Sequence, residues 1–209
     1  MAIINNQKEL LFYISADRIM NGFPARKSLK ERLFGRSGGG KIVKYLCAMR
    51  KYNYYSHHRT SLVNTILAKY YYLRYERLGC ELGFTIGQNV FGYGLVIPHY
   101  GTIVVNGDVR AGNFCVLHTS TCIAGGEKKF GNGLYVATGA KILGSGEYGN
   151  AVCIGANSVS NNSAGDNVLL TGIPAQIKKT NYPVWYKRDG EVYKNRVDAV
   201  ETLRAKMGL

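Results

Sequence analysis

Proline and acidic residues are scarce in this sequence of 209 residues, which has 4 prolines and 13 aspartates and glutamates. Its 26 glycines follow no Gly-X-Y period, so a collagen-like chain is excluded and tight turns or close backbone packing are predicted. No apolar run reaches the roughly 18 residues of a membrane-spanning helix, and no signal peptide is expected at the N-terminus. The five cysteines form no CxxC pair, so we expect reduced thiols in the cytoplasm rather than a zinc site.

Positive charge is abundant and unevenly placed. Residues 1–80 hold 15 basic and 4 acidic side chains, residues 81–177 hold 4 and 5, and residues 178–209 hold 8 and 4. Glycine becomes frequent at the first of these boundaries. We therefore predict a basic N-terminal domain (1–80), a nearly neutral middle domain (81–177) and a C-terminal tail (178–209).

The N-terminal domain is predicted to be helical, because its apolar residues recur at spacings of three and four. A first helix presents Leu10, Leu11, Ile14 and Ile19, and a second presents Leu62, Ile66, Leu67, Tyr70 and Leu73. Ser61 or Thr60 is placed to cap the second helix, and Gly79 to end it. The glycine-rich segment from Gly35 to Gly40 predicts a flexible break and lacks the residues of a phosphate-binding loop.

The middle domain repeats every six residues. The first position of each hexad is mostly apolar, the second is often small, and the fifth is small or β-branched. The first positions are Ile86, Gly92, Pro98, Val104, Ala111, Leu117, Ile123, Phe130, Val136, Ile142, Tyr148, Ile154 and Ser160. This pattern predicts a parallel β-helix in which three hexads close each triangular coil. The spacing does not define its hand, and we expect the left-handed form known for hexapeptide repeats.

Two of the four histidines are predicted to stack in this coil. His99 and His118 are both second residues of hexads, three hexads apart, so they are expected one above the other on one outer face. A neutral imidazole is a suitable general base near neutral pH. The alternative is a histidine that only bonds a neighbouring turn, and for His118 both interpretations stay open.

Four segments resemble the serine acetyltransferase family of hexapeptide-repeat acyltransferases, above all its branch in capsule and exopolysaccharide gene clusters. They are FTIGQNVFGYGLVIPHYGTIVVN (84–106), VATGAKILG (136–144), IGANSV (154–159) and TGIPAQI (171–177). The resemblance covers about residues 60–180. It implies a homotrimer with active sites between subunits. By the same resemblance, His99 is the base that deprotonates an acceptor hydroxyl for attack on acetyl-CoA, and His118 is a second polar or basic group.

The resemblance also implies a site for acetyl-CoA and no metal. The residues that match the path of the pantetheine arm and nucleotide are Gly125, Gly126, Ala137, Thr138 and Ala156. Lys128, Lys129 and Lys141 are expected partners of the CoA phosphates, with solvated surface lysines as the alternative.

Two departures from the family concern the acceptor. Serine acetyltransferases carry an aspartate directly before the catalytic histidine, where this chain has Pro98, and a second histidine in a longer loop where Gly125 to Phe130 has none. Glu127 is a candidate for the missing acid. We expect an acetyl-CoA-dependent O-acetyltransferase that acts on a sugar hydroxyl in surface-polysaccharide biosynthesis. Serine O-acetylation for cysteine synthesis is the alternative enzyme, and a non-catalytic repeat scaffold is the alternative of another class.

Other partners follow from composition. A zinc carbonic anhydrase on the same coil needs three imidazole ligands, and no histidine follows His118. The tyrosine-rich run 70–77 has helical spacing, which favours packing over nucleic-acid binding. The basic N-terminal region is predicted to face an acidic glycan or an anionic membrane, with the protein cytoplasmic and peripheral at the inner membrane face. A short C-terminal helix with Val197, Val200 and Leu203 is expected to cap the last coil.

Overall fold

Three helices precede the coil in the computed structural model, which describes residues 3–26 and 39–209. They are α1 (Gln7–Met20), α2 (Gly39–His57) and α3 (Leu62–Leu82). Ser61 caps α3 through the Asn64 amide at 3.2 Å, as predicted. The prediction that α3 ends at Gly79 is wrong, because the helix continues to Leu82 and ends at Gly83, which has a φ of 80°.

The second of these helices was not predicted from the sequence. Part of the proposed break from Gly35 to Gly40 lies outside the described residues, and its last two glycines begin α2. The inward face of α2 carries Tyr45, Leu46 and Met49, which are buried against α3 and the first coil. A tyrosine-rich helix without a sharp polar face gives a weak periodic signal.

Thirteen short strands follow in the described residues. They are β1 (Phe84–Ile86), β2 (Ile103–Val105), β3 (Val109–Ala111), β4 (Val116–Leu117), β5 (Thr121–Ile123), β6 (Lys128–Phe130), β7 (Tyr135–Val136), β8 (Lys141–Ile142), β9 (Gly146–Tyr148), β10 (Cys153–Ile154), β11 (Val159–Ser160), β12 (Leu169–Gly172) and β13 (Ala175–Lys179). Sheet A contains β1, β2, β5, β8 and β11, sheet B contains β3, β6 and β9, and sheet C contains β4, β7, β10, β12 and β13. Apart from the closing β12–β13 hairpin, every paired strand is parallel. The predicted parallel β-helix is confirmed.

The core of the coil follows the predicted hexads from the second coil onward. Leu117, Ile123, Val136, Ile142 and Ile154 are all fully buried inside it. In the first coil the inward positions differ from the predicted ones by one residue. The side chains of Phe91, Ile97 and Val105 point into the core, where the hexad pattern predicts Gly92, Pro98 and Val104. The extra residues collect in the loop 98–102, which is longer than the loop 118–120 one coil later.

A ladder of side-chain oxygens runs along the corner between sheets B and C. The Asn132 Oδ1 atom accepts from the Asn113 amide at 2.8 Å, Asn150 Oδ1 accepts from Asn132 at 2.9 Å, and Asp166 Oδ1 accepts from Asn150 at 2.7 Å. The residue before each donor amide must be small, because the acceptor side chain of the next coil lies against it. A Cβ on Gly131 would lie 2.6 Å from Asn150 Oδ1, so glycine is required there.

A buried ion pair fixes α1 and α2 to the first coil. The Asp17 carboxylate accepts from Arg50 Nε at 2.7 Å and from the amides of Gly94 and Leu95, both at 2.9 Å. The Arg50 guanidinium also donates to the carbonyls of Phe91 and Gly92, at 2.7 and 2.6 Å. Both side chains are fully buried, so this one cluster joins two helices and a coil.

The C-terminal tail folds back along the outside of the coil. It forms α4 (Trp185–Arg188) and α5 (Glu191–Lys206), and Val200 packs with Phe12 and Met20 of α1. Glu201 accepts a hydrogen bond from the Tyr93 hydroxyl at 2.9 Å, which places α5 beside the first coil. A C-terminal helix is confirmed, but the prediction that it caps the last coil is wrong. The apolar outer face of sheet C is the surface it covers.

Candidate active site

The corner between sheets C and A brings half of the predicted site residues together on one edge of the coil. Loops 98–102, 118–120, 137–140 and 155–158 stack there in successive coils. They carry His99, His118, Ala137, Thr138 and Ala156. The hexad pattern therefore brings both histidines and three of the five residues proposed for the pantetheine path onto one ridge.

The two histidines are not in direct register. Val96 pairs with Val116, so two residues further along it is Pro98 that aligns with His118. His99 lies one residue beyond, in the longer loop, where it is exposed. Within residues 3–26 and 39–209, its ring has no hydrogen-bond partner. The sequence-based expectation of direct stacking is wrong by one residue because the first coil differs in phase.

His118 is half-buried against an aromatic ring. Its ring centroid lies 5.0 Å from that of Tyr135, and its backbone carbonyl accepts the Thr121 hydroxyl at 2.9 Å. Burial lowers the pKa of His118 below its ordinary value of 6.5, repulsion from His99 lowers it further, and Asp189 acts in the opposite direction. The imidazole is consequently neutral at pH 7 and able to accept a hydrogen bond.

This environment gives a titration that can be measured. We expect the His118 ring in NMR spectra to titrate below pH 6.5, and to move upward in the variant His99→Gln, which removes the repelling charge. Because the native pKa is depressed, the unfolded chain binds more protons between the native pKa and 6.5. Stability contributed by this group is therefore present above that window and is lost as pH falls through it. A His118 midpoint at or above 6.5 would contradict the buried, His99-facing environment.

An arginine that the sequence did not single out lies against Tyr135, the ring that His118 contacts. The Arg188 guanidinium lies 4.9 Å from the ring centroids of both Tyr135 and Tyr182. It is paired with Asp189 at 2.6 Å and donates to Cys153 Sγ at 3.7 Å. No spacing in the sequence signals this cluster, because it forms only when α4 folds back onto sheet C.

The three predicted phosphate-binding lysines lie in different places. Lys129 is on the outer face of sheet B, where its ammonium pairs with Glu147 at 3.1 Å. Lys141 is on sheet A and donates to the carbonyls of Gly139, at 3.2 Å, and Ser120.

Lys128 differs from the other two because it points inside the coil. It is buried, and its ammonium donates to the carbonyls of Ala124, at 2.7 Å, and Gly125. Burial lowers the pKa of Lys128. Its ammonium holds the turn at Gly125 from within and is not on the outer surface where the expected CoA phosphates would lie.

The Gly125–Gly126 turn lies on the opposite edge of sheet A from the histidines. Both glycines adopt the left-handed backbone conformation, with φ of 68° and 59°. A Cβ on Gly126 would clash with Ser145 of the next coil. Glu127 is exposed beside this turn, so within one chain it is on a different corner from His99. The outer face of sheet A, with Val104, Cys122 and Lys141, separates the two edges.

Two grooves lie along this face and were not predicted. One of about 430 Å³ runs between α3, at Tyr72 and Glu76, and the coil, and it ends at Ala124 and Gly125. The adjoining one of about 260 Å³ includes Thr85, Thr102 and Val104. In the described part of the chain, no group of three or more histidine, cysteine or acidic side chains is arranged to hold a metal ion.

Comparisons with known proteins point in one direction. No protein-family model matches the chain. A serine acetyltransferase of Synechococcus elongatus is 29% identical over 93 residues, which are 41% of this chain and 38% of the relative. One of Buchnera aphidicola is 30% identical over 111 residues, covering 49% of this chain and 40% of the relative. The chain thus spans about two fifths of the length of the curated relatives it matches.

Solved structures show the same fold. Neisseria gonorrhoeae serine acetyltransferase aligns with a TM-score of 0.60 at 20% identity, over 88% of this chain and 72% of that one. A serine acetyltransferase in complex with CoA aligns with a TM-score of 0.55 at 22% identity, over 81% and 69%. The chain therefore has the fold of serine acetyltransferases, with helices before the coil and a helix after it.

Proposed function

We propose that this chain is an acetyl-CoA-dependent O-acetyltransferase in which His99 is the general base. The observation that carries the proposal is the position of His99. It is an exposed imidazole on the ridge between sheets A and C, beside an open sheet face and a second, neutral histidine. The sequence similarity to serine acetyltransferases supports the same chemistry.

The residues on this face fit acetyl-CoA. Small side chains line the ridge at Ala137, Thr138 and Ala156, which leaves room for an extended pantetheine arm. At the opposite edge of sheet A, the exposed Gly125–Gly126 turn has no side chains and leaves its backbone open to a ligand. Of the three predicted lysines, Lys129 and Lys141 lie on outer faces where a phosphate could reach them, and each already has partners.

Each histidine has a role in moving or holding a proton. When bound, acetyl-CoA supplies an activated acetyl thioester. His99 takes the proton of the acceptor hydroxyl as the oxygen attacks the thioester carbon. The C–S bond then breaks, and the CoA sulfur takes that proton from His99 and leaves as the free thiol. His118, neutral at pH 7, accepts a hydrogen bond from the acceptor and so orients it. Arg188 and Asp189 fix the Tyr135 ring against which His118 rests.

Two acceptors are candidates. The curated relatives are named serine acetyltransferases, so the comparisons support serine better than the sugar expected from sequence analysis. Pro98 and the histidine-free turn from Gly125 to Phe130 are the observations that favour an uncharged sugar hydroxyl and a role in surface polysaccharides. We place serine first and the sugar second.

We propose that the working enzyme is a cytoplasmic homotrimer with active sites between subunits. What supports this is the outer face of sheet A, which is only partly covered along Val104, Cys122 and Val159. A neighbouring coil packed on this face would enclose His99 and bring its own Gly125–Gly126 turn or Glu127 toward the site. Such a neighbour would complete an acceptor pocket that one chain leaves open.

The acceptor test measures CoA release from acetyl-CoA with L-serine or with nucleotide-activated sugars. We expect turnover of serine above that of any sugar, with CoA binding detected by calorimetry. Faster CoA release with a sugar than with serine would identify a sugar as the acceptor. Failure to bind CoA or to release it with any acceptor would contradict the enzyme proposal and favour a repeat scaffold.

A further inference from the structure

Helix α3 has two apolar faces, and one of them is open to solvent. Ala68, Tyr75, Gly79 and Leu82 are buried on the face toward α2 and the first coil. On the opposite face the exposed fractions are 77% for Leu62, 59% for Ile66, 50% for Tyr70 and 55% for Leu73. The helical period of this second set is visible in the sequence, but the period alone does not show that the set faces away from the protein.

The exposed residues form a continuous stripe. With 3.6 residues per turn, the spacings of four, four and three between Leu62, Ile66, Tyr70 and Leu73 keep all four on one side, over about 16 Å of helix. Exposed Val63 lies beside them. We call Leu62, Val63, Ile66, Tyr70 and Leu73 the apolar stripe.

Cations border the stripe. Lys69 and Arg74 lie on its two sides, and Arg77 lies in line with it one turn after Leu73. A groove of about 510 Å³ between α2 and α3 adjoins it, with Tyr70 and Leu73 on its wall and Lys44 and Arg74 beside them. Among the described residues that line this groove, Glu81 is the one carboxylate, and it is already held by Lys41 and Arg77, each at 3.3 Å.

From this arrangement we propose that the apolar stripe docks on an anionic lipid bilayer, with α3 lying in the plane of the interface. Apolar side chains enter the boundary of the acyl chains while lysines and arginines at the same level meet the lipid phosphates. Lys44, Lys69 and Arg74 are placed for those phosphates, and the groove accepts a headgroup. Among residues 3–26 and 39–209, no helix has the length and hydropathy to cross a bilayer, so docking is along the surface.

Charge favours lipid over the other occupants. A second copy packed stripe to stripe would bring two sets of the cations Lys69, Arg74 and Arg77 into one interface, because a twofold interface uses the same patch on both sides. An acidic glycan would meet the cations but would leave the leucines and isoleucine in water. An anionic bilayer satisfies both kinds of side chain.

Docking also places the ridge with respect to the membrane. The Leu82 carbonyl at the end of α3 accepts a hydrogen bond from Gly101 at 2.9 Å, and Gly101 shares its loop with His99. Leu73 lies about 14 Å along the helix from Leu82 at 1.5 Å per residue. If the proposed function holds, the acceptor site is held close to the lipid surface.

The experiment is sedimentation with vesicles of phosphatidylcholine alone or with about a third phosphatidylglycerol. We expect the wild-type chain to bind only the anionic vesicles, and less as salt increases. The double variant Ile66→Glu/Leu73→Glu should bind at least tenfold more weakly, because each substitution removes an aliphatic side chain that the bilayer would bury. Lys69→Gln and Arg74→Gln should each cost about fivefold. Val192→Glu and Lys194→Gln are matched controls on α5, where Val192 is 61% exposed, and they should bind as wild type does.

Several results would overturn the proposal. These are failure of the wild type to bind anionic vesicles at low salt, equal binding to both vesicle types, and unchanged binding by the stripe double variant. The wild type could fail to bind vesicles while the stripe double variant has a lower mass than the wild type by light scattering. Those two results together would identify the stripe as an interface between copies of the chain. CoA release with a soluble acceptor is measured on the same variants and should not change, so failure of docking is separate from failure of the proposed function.

Discussion

The variant His99→Ala is expected to lose between about a hundredfold and ten-thousandfold in acetyl transfer, the range that a positioned general base contributes. The imidazole is the group proposed to remove the acceptor proton, and alanine has no basic atom. Since the ring is exposed and bonds no other group in the described part of the chain, its loss should not affect folding. CoA release under saturating acetyl-CoA measures the effect.

A second histidine supplies the control for this loss. His57 is exposed on α2, away from the ridge, and His57→Ala should keep wild-type turnover. Calorimetry on His99→Ala should show CoA binding retained, because the proposed pantetheine path uses other residues. Wild-type turnover by His99→Ala would remove His99 from the role of base.

Replacing Asp17 with asparagine is expected to lower the free energy of unfolding by about 3–5 kcal/mol, the usual cost of breaking a buried ion pair on one side. Asparagine keeps the shape but leaves the Arg50 charge buried without its counter-ion. The backbone amides of Gly94 and Leu95 also lose a charged acceptor. Urea denaturation followed by circular dichroism measures the change.

Two further variants serve as controls: one breaks an exposed ion pair, and the other removes both charges of the buried pair. Glu147→Gln breaks the exposed pair with Lys129 and should leave the urea midpoint unchanged. The double variant Asp17→Leu/Arg50→Met removes both charges and should recover stability relative to Asp17→Asn. A midpoint for Asp17→Asn equal to that of wild type would show that the cluster does not hold α1 and α2 on the coil.

The period of six was enough to predict the coil, and its limits are physical. In the first coil each inward residue that departs from the pattern has an apolar or small residue beside it: Gly92 beside Phe91, Pro98 beside Ile97 and Val104 beside Val105. Side-chain size therefore fits two phases equally well. Backbone pairing selects one, and the difference moves His99 by a residue relative to His118.

Features that depend on tertiary placement were not predictable. Lys128 has the sequence signature of a surface cation, and only the inward carbonyls of Ala124 and Gly125 make its burial favourable. Arg188 and Asp189 reach the ridge through the return of the tail over sheet C. In α3, periodicity identified an apolar set correctly but could not show that a different set was buried.

The ladder at the corner of sheets B and C has a direction. Each backbone amide, from Asn113 to Asn150, is bonded by a side chain from the following coil, and Asp166 is the last acceptor. In each of these hydrogen bonds the donor amide comes earlier in the chain than its acceptor. A ribosome therefore makes the donor first, and each coil leaves the exit tunnel before the acceptor for its corner amide. If the coils fold in the order in which they emerge, the corner amide of each coil gains its acceptor only when the next coil has been made. The nascent chain carries one unbonded corner amide until Asp166 has emerged.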